Sequence, residues 1–296
     1  MNNTVSSTST VKKKYKKKSQ GWQTFKRVFK TPSAKLGGVL LAIIIFIAIF
    51  APWLAPYGPY EMDLLNTFAS PSLQHWFGTD AMGRDILPRM MYGAKYSLSL
   101  GLLTAFIGTV LGLVLGSIAG YFGGITETII MRFCDIWGAI PGMLLNIVIS
   151  ASLGSGFFNT ILAMSVGTFP GGARMTRGQI LAERSKEYLE AAESINASKA
   201  SIMFKHLLPN VISPTIVQTT MAIGGNITAA AGLSYLGLGV QPPTPEWGAM
   251  LSDGTTYINS HPYMLLWPGI VIGVTVLAIN LVGDGVRDAL DPKLRS

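Results

Sequence analysis

Charge is scarce in this chain, and cysteine and histidine are scarcer still. Only 13% of its 296 residues are Asp, Glu, Lys or Arg, about half of the roughly 25% usual in soluble domains. That shortage, beside a hydrophobic fraction of 49%, excludes an ordinary soluble domain and points to a membrane protein. The single cysteine, Cys134, excludes an internal disulfide. Lying in an apolar run, it reads as a small buried hydrophobe. The three histidines, His75, His206 and His261, fall in separate loops and form no metal-ligand cluster. There is no GxxxxGKS/T phosphate loop, so the chain should not bind and hydrolyse ATP by itself. HExxH and GxSxG are also missing, and no catalytic, cofactor or metal residue is expected.

The charge that is present is uneven. The formal net charge is +8, and residues 1–35 hold ten of the 23 Lys and Arg. This stretch reads as a basic, disordered cytoplasmic tail lying near anionic membrane lipids, in preference to a nucleic-acid binder. The first apolar run, 36–56, lacks a small-residue cleavage site and reads as a retained first span. A hydrophilic loop at 57–96 follows, with an interfacial helix expected from the stripe Ile86, Leu87, Met90 and Met91. Further apolar runs lie at 97–124, about 130–152, 158–176, 211–232 and 264–283. Six transmembrane helices result, each near the 20 or so residues that cross a bilayer. Gly108, Gly112 and Gly116 recur every four residues, a stripe that predicts close helix packing.

Positive residues set the orientation. The 177–210 loop carries Arg177, Arg184, Lys186, Lys199 and Lys205, and the tail carries Arg287, Lys293 and Arg295. The 233–263 loop carries no Lys or Arg. This places both termini in the cytoplasm. Arg84, Arg89 and Lys95 fit less well, but Asp80 and Asp85 lie beside them for local pairing. Trp53, Tyr57 and Trp247 read as interfacial anchors. Within the spans ionisable residues are few: Arg132 and Asp135 are expected to pair, and Asn146, Asn226 and Asn280 to hydrogen-bond between helices. That counts against a proton-coupled carrier.

One polar stretch, "EYLEAAESINASKASIMFKHLLPN" at 187–210, is patterned far beyond what a connection needs. Tyr188, Ala191, Ala192 and Ile195 form one apolar helix face. Asn196 is a residue type that tolerates a left-handed turn. Ala200, Met203, Phe204, Leu207 and Leu208 form a second face, and Pro209 is expected to end the element. The reading is helix, turn, helix on the cytoplasmic side.

"EAA", a turn residue and the closing "LP" resemble the cytoplasmic signature of permease subunits in binding-protein-dependent ABC importers. "FGTDAMGRDILPRMMYGAKYSL", "GLSYLGLGVQPPTPEWGAML" and "NLVGDGVRDALDPKL" are similar to the C-type permease of the dipeptide, oligopeptide and nickel branch. The family usually has glycine where this chain has Asn196. The resemblance implies an all-α type I ABC importer permease fold over 97–286, with a short cytoplasmic tail at 287–296. It implies a second permease, two cytoplasmic ATPases that bind ATP and Mg, and an extracellular solute-binding protein, in a bacterial cytoplasmic membrane. It implies that Glu190, Ala191, Ala192, Glu193, Asn196, Ala197, Lys205, His206, Leu208 and Pro209 meet the ATPase. Peptide is the favoured cargo and nickel the competitor. A self-powered carrier and a membrane scaffold are the rival classes, and both survive removal of 187–210.

Overall fold

The computed structural model describes residues 25–194 and 196–290, with the backbone alone of Glu193. The tail residues 1–24 and 291–296, and Ile195 of the first apolar face, lie outside the described residues. The described residues contain helices and no strand. We number the main helices α1 Pro32–Leu54, α2 Ile86–Phe122, α3 Gly124–Gly138, α4 Gly142–Leu153, α5 Phe157–Arg184, α6 Glu187–Ser194, α7 Leu208–Tyr235, α8 Trp247–Thr255 and α9 Tyr263–Leu290. Each of the six predicted apolar runs falls on one of these helices or, once, on a bent pair.

Local signals explain the ends. Thr31 Oγ1 accepts from the Ala34 amide at 3.4 Å with Pro32 in the first turn, which starts α1. Asp85 Oδ1 accepts from the Leu87 amide at 3.0 Å and starts α2. Gly123, at φ +64°, ends it in a conformation that a Cβ would disfavour. α1, α2 and α9 are long and apolar enough to cross a membrane. α5 and α7 have 28 residues each, but Arg174 and Arg177 in the one and Asn210, Gln218 and Asn226 in the other dilute their hydropathy.

Two expectations are corrected. The stripe at Ile86 and Met90 is no interfacial helix. It is the first part of α2, whose 37 residues run unbroken, and both side chains are buried in the core. At 1.5 Å per residue such a helix is about 55 Å long, well beyond a hydrocarbon core of roughly 30 Å. The run at 130–152 is not one straight span either. α3 and α4 meet at 89°, because Pro141 lacks an amide and disfavours helix at the residue before it.

The glycine stripe behaves as its spacing predicts. A Cβ on Gly112 would lie 3.0 Å from the Ala173 amide, one on Gly116 2.6 Å from Thr176 Cβ, and one on Gly120 2.8 Å from Ile180 Cβ. α2 and α5 thus touch backbone to backbone, a contact only small residues permit.

At the far end of the bundle, residues 57–85 fold over the start of α2. The expected local pairing is present there. Asp80 Oδ2 lies 2.6 Å from Arg84 Nε and 3.7 Å from Arg89 Nε, with all three residues buried. Trp247 is not an interfacial anchor. It is fully buried, its Nε1 donating to the Met90 carbonyl at 3.0 Å. Glu246 starts α8 by accepting from the Ala249 amide at 2.9 Å and from Ser97 Oγ at 2.9 Å. This polar knot ties the proline loop to α2.

Candidate functional site

Residues 185–207 connect α5 to α7. α6 buries Leu189 and Ala192, at 3% and 6% exposure, against Ile180, Ile202, Leu207 and Val211. The predicted face is therefore shifted. Ala191 is exposed and Tyr188 is on the rim. Leu189, skipped by the pattern reading, is the main apolar anchor, because the α5 and α7 ends define the docking direction. Glu187, Glu190, Ala191 and Ser194 remain on the outer side. The Glu190 carbonyl accepts from Ser194 Oγ at 2.8 Å. The Glu193 side chain lies outside the described residues.

The turn is built as its residue type requires. Asn196 has φ +56°, in the left-handed region that Asn enters more readily than most side chains. The Ala197 amide donates across it to the Ala192 carbonyl at 3.1 Å, the six-to-one bond of a Schellman ending. Ala197 is half-buried beside the Leu189 cluster. Ser198 Oγ then accepts from the Ser201 amide at 3.2 Å and starts the next helical turn.

The second face also differs. Ile202–Leu207 is a π segment, with the Leu208 amide bonded to the Met203 carbonyl. Its wider turn puts Ile202, Leu207 and Val211 in the core. Ala200, Met203, Phe204 and Leu208 instead line an apolar groove against Leu113 and Tyr121. Pro209 does not end the element. It sits exposed in the first turn of α7, where its missing amide costs little because the π segment has already reset the bonding. Lys205 is exposed and His206 half-buried. Asn210 Nδ2 donates to the His206 carbonyl at 2.8 Å and to Tyr188 Oη at 3.0 Å, and Tyr188 donates to Glu183 Oε2 at 2.6 Å. That chain fastens α6 to both neighbouring helices. Glu183 also pairs with Lys186, and the hydrogen bonds from Lys186 and Tyr188 hold its carboxyl below the ordinary value despite partial burial.

A charged cleft opens between α3 and α5. Asp135 pairs with Arg174 at 3.2 Å, not with Arg132, and Arg177 pairs with Glu127 through Nε at 2.7 Å. Arg174 Nη2 also donates to the Cys134 carbonyl at 2.8 Å, passing over Gly138, where a Cβ would sit 2.8 Å from it. Arg174 was missed by the sequence reading, although an arginine inside a predicted span is itself a signal. Two of the asparagine atoms expected to bond between helices, Asn146 Oδ1 and Asn226 Nδ2, are buried without hydrogen-bond partners.

Residues 112–296 match the family described as binding-protein-dependent transport system inner membrane component. Residues 19–71 match the N-terminal transmembrane domain of oligopeptide transport permease C. The chain is 46% identical over 277 residues to the glutathione transport system permease protein GsiD of Escherichia coli O6:K15:H31, covering 93% of this chain and 90% of that protein. The same values hold for GsiD of Shigella boydii serotype 4. Among solved structures, the MetNI methionine ABC transporter in inward-facing conformations matches 67% of this chain and 94% of its own at 22% identity and TM-score 0.53, which is a likeness of fold. The chain is therefore a multi-pass, non-catalytic membrane component of an ABC importer, and it belongs to the binding-protein-dependent transport system permeases of the dipeptide and oligopeptide branch.

Proposed function

We propose that this chain forms half of the passage for a small peptide across a bacterial cytoplasmic membrane, paired with a second, related permease. Two cytoplasmic ATPases, binding ATP and Mg, drive it, and an extracellular binding protein delivers the cargo. Both termini and the 185–207 connection face the cytoplasm, in keeping with the excess of Lys and Arg there. A peptide is favoured over nickel because the relatives at 46% identity are glutathione permeases.

The observation that carries the coupling role is the two-sidedness of α6. Leu189 and Ala192 fasten it to its own bundle, while Glu190 and Ala191 are left exposed on the outer side. A helix that merely closed a loop would not need an exposed alanine flanked by glutamates, whereas a helix seated in a partner's groove does. ATP-driven approach of the two ATPases moves α6, and α6 moves α5 and α7. The test is Glu190→Arg in the assembled importer. Membrane insertion and co-purification of the second permease should persist, while uptake falls at least tenfold and ATP hydrolysis no longer responds to loaded binding protein. Normal uptake by this variant sinks the reading.

A further inference from the structure

The charged cleft between α3 and α5 lies towards the α6 end of the bundle. Gly112 and Gly116 of α2 pack on Ala173 and Thr176, so Arg174 lies level with that stretch. At this level the outer face of α2 is apolar, with Leu111 and Val114 37% and 50% exposed. α3 shows the same girdle, with Ile129 and Ile136 64% and 70% exposed. Yet Arg174 and Asp135 are 45% and 53% exposed in side chain. Charges within an apolar girdle do not face lipid. They face water or polar protein.

The cleft is open, with a volume of about 490 Å³, and is lined by Glu127, Arg132, Asp135, Arg174 and Arg177. Two arginines are matched by the two carboxylates. Arg132, exposed and one helical turn from Asp135, has no carboxylate within 4.0 Å among the described residues. The cleft therefore holds one uncompensated guanidinium, whose planar fork matches a carboxylate better than any other anchor the side chains offer.

We infer that this cleft is a water-filled wall of the passage, where Arg132, the one cation left over by the two ion pairs, receives a carboxylate of the departing peptide. This rests on the peptide-importer reading. It adds what that reading lacks, a contact between cargo and this chain at the end of the bundle nearest α6. The two ion pairs hold the walls at fixed spacing, so the spare cation is presented and not collapsed onto a neighbour.

The test separates the cleft from the importer reading. Thr128 lines the cleft and is exposed. In the assembled importer, a Thr128→Cys thiol should react with the anionic reagent sulfonatoethyl methanethiosulfonate about tenfold faster than with its trimethylammonium counterpart. Adding Arg132→Gln should erase the preference, and Arg132→Lys should keep it. Reaction with neither reagent overturns the aqueous wall. Equal rates, or a preference untouched by Arg132→Gln, overturn the anion site. In vesicles loaded with ATP, Arg132→Gln should lower glutathione uptake about tenfold with ATP hydrolysis retained, and unchanged uptake overturns the cargo contact. If the unsubstituted importer takes up neither glutathione nor other small peptides in an ATP-dependent way, the peptide-importer reading fails, and the thiol rates still decide the nature of the cleft.

Discussion

The amide of Ala197 donates to the carbonyl of Ala192 at 3.1 Å, spanning Asn196 at φ +56°. This bond closes α6 and aims the chain at its next helical turn. Asn196→Gly should preserve the turn and be neutral or slightly stabilising. Asn196→Val should cost about 1–2 kcal/mol, because a branched side chain in the left-handed region clashes with its own backbone. Thermal melts of the purified complex, with protease sensitivity at 190–200 as the local readout, check both.

The α2–α5 contact predicts a graded response at glycine. Gly116→Val should destabilise by roughly 1–3 kcal/mol, the cost of overpacking, since its Cβ meets Thr176 Cβ at 2.6 Å. Gly225→Ala, with nothing within 4 Å, should be neutral or gain up to about 1 kcal/mol from helix propensity. A melt that ranks the two the other way rules out tight packing at the stripe.

Removing the acid from the buried knot should be severe. Asp80→Asn leaves Arg84 and Arg89 buried without their carboxylate, at a cost of about 3–5 kcal/mol. The expected result is loss of protease protection across 57–85, with the α2–α5 contact intact.

Asp253 gives a pH signature. Burial pushes its carboxyl above the ordinary value, and nearby Arg89 and Arg84 offset this only in part. An acid with a raised folded value binds its proton more tightly folded than unfolded, so stability falls as pH rises through that window. Asp253→Asn should therefore raise the melting temperature at pH 7. The gain should shrink towards zero as the pH falls below about 3, where both states are protonated. A gain independent of pH would refute the burial argument.

How much of this was legible depends on the range of the cause. Asn196 and the glycine stripe were readable because backbone conformation and close approach are properties of one or a few residues. The face of α6 was not, because Leu189 is selected by Ile180 and Val211 of the two flanking helices, whose direction the local pattern does not contain. The π segment defeated a 3.6-residue template at Phe204 and Leu208. Trp247 looked like an anchor because aromatic residues favour interfaces, while its burial depends on the gap that Gly93 leaves. Arg174 was hidden by the apolar residues around it, and its pairing with Asp135 appears only once α3 and α5 are side by side.

The run from Lys199 through the π segment to Tyr235 is helical without a break. The rod is clamped at two places, by Val211 against Ile180 near its start and by Ile227, Ala230, Ala231 and Leu233 in the core near its end. It therefore has the geometry of a strut: a push beside Asn196 can be relieved only by shifting a whole packed element, or by flexing where the regular bonding is interrupted, at the wide turn of Ile202–Leu207 and at Pro214, whose missing amide removes one helix hydrogen bond.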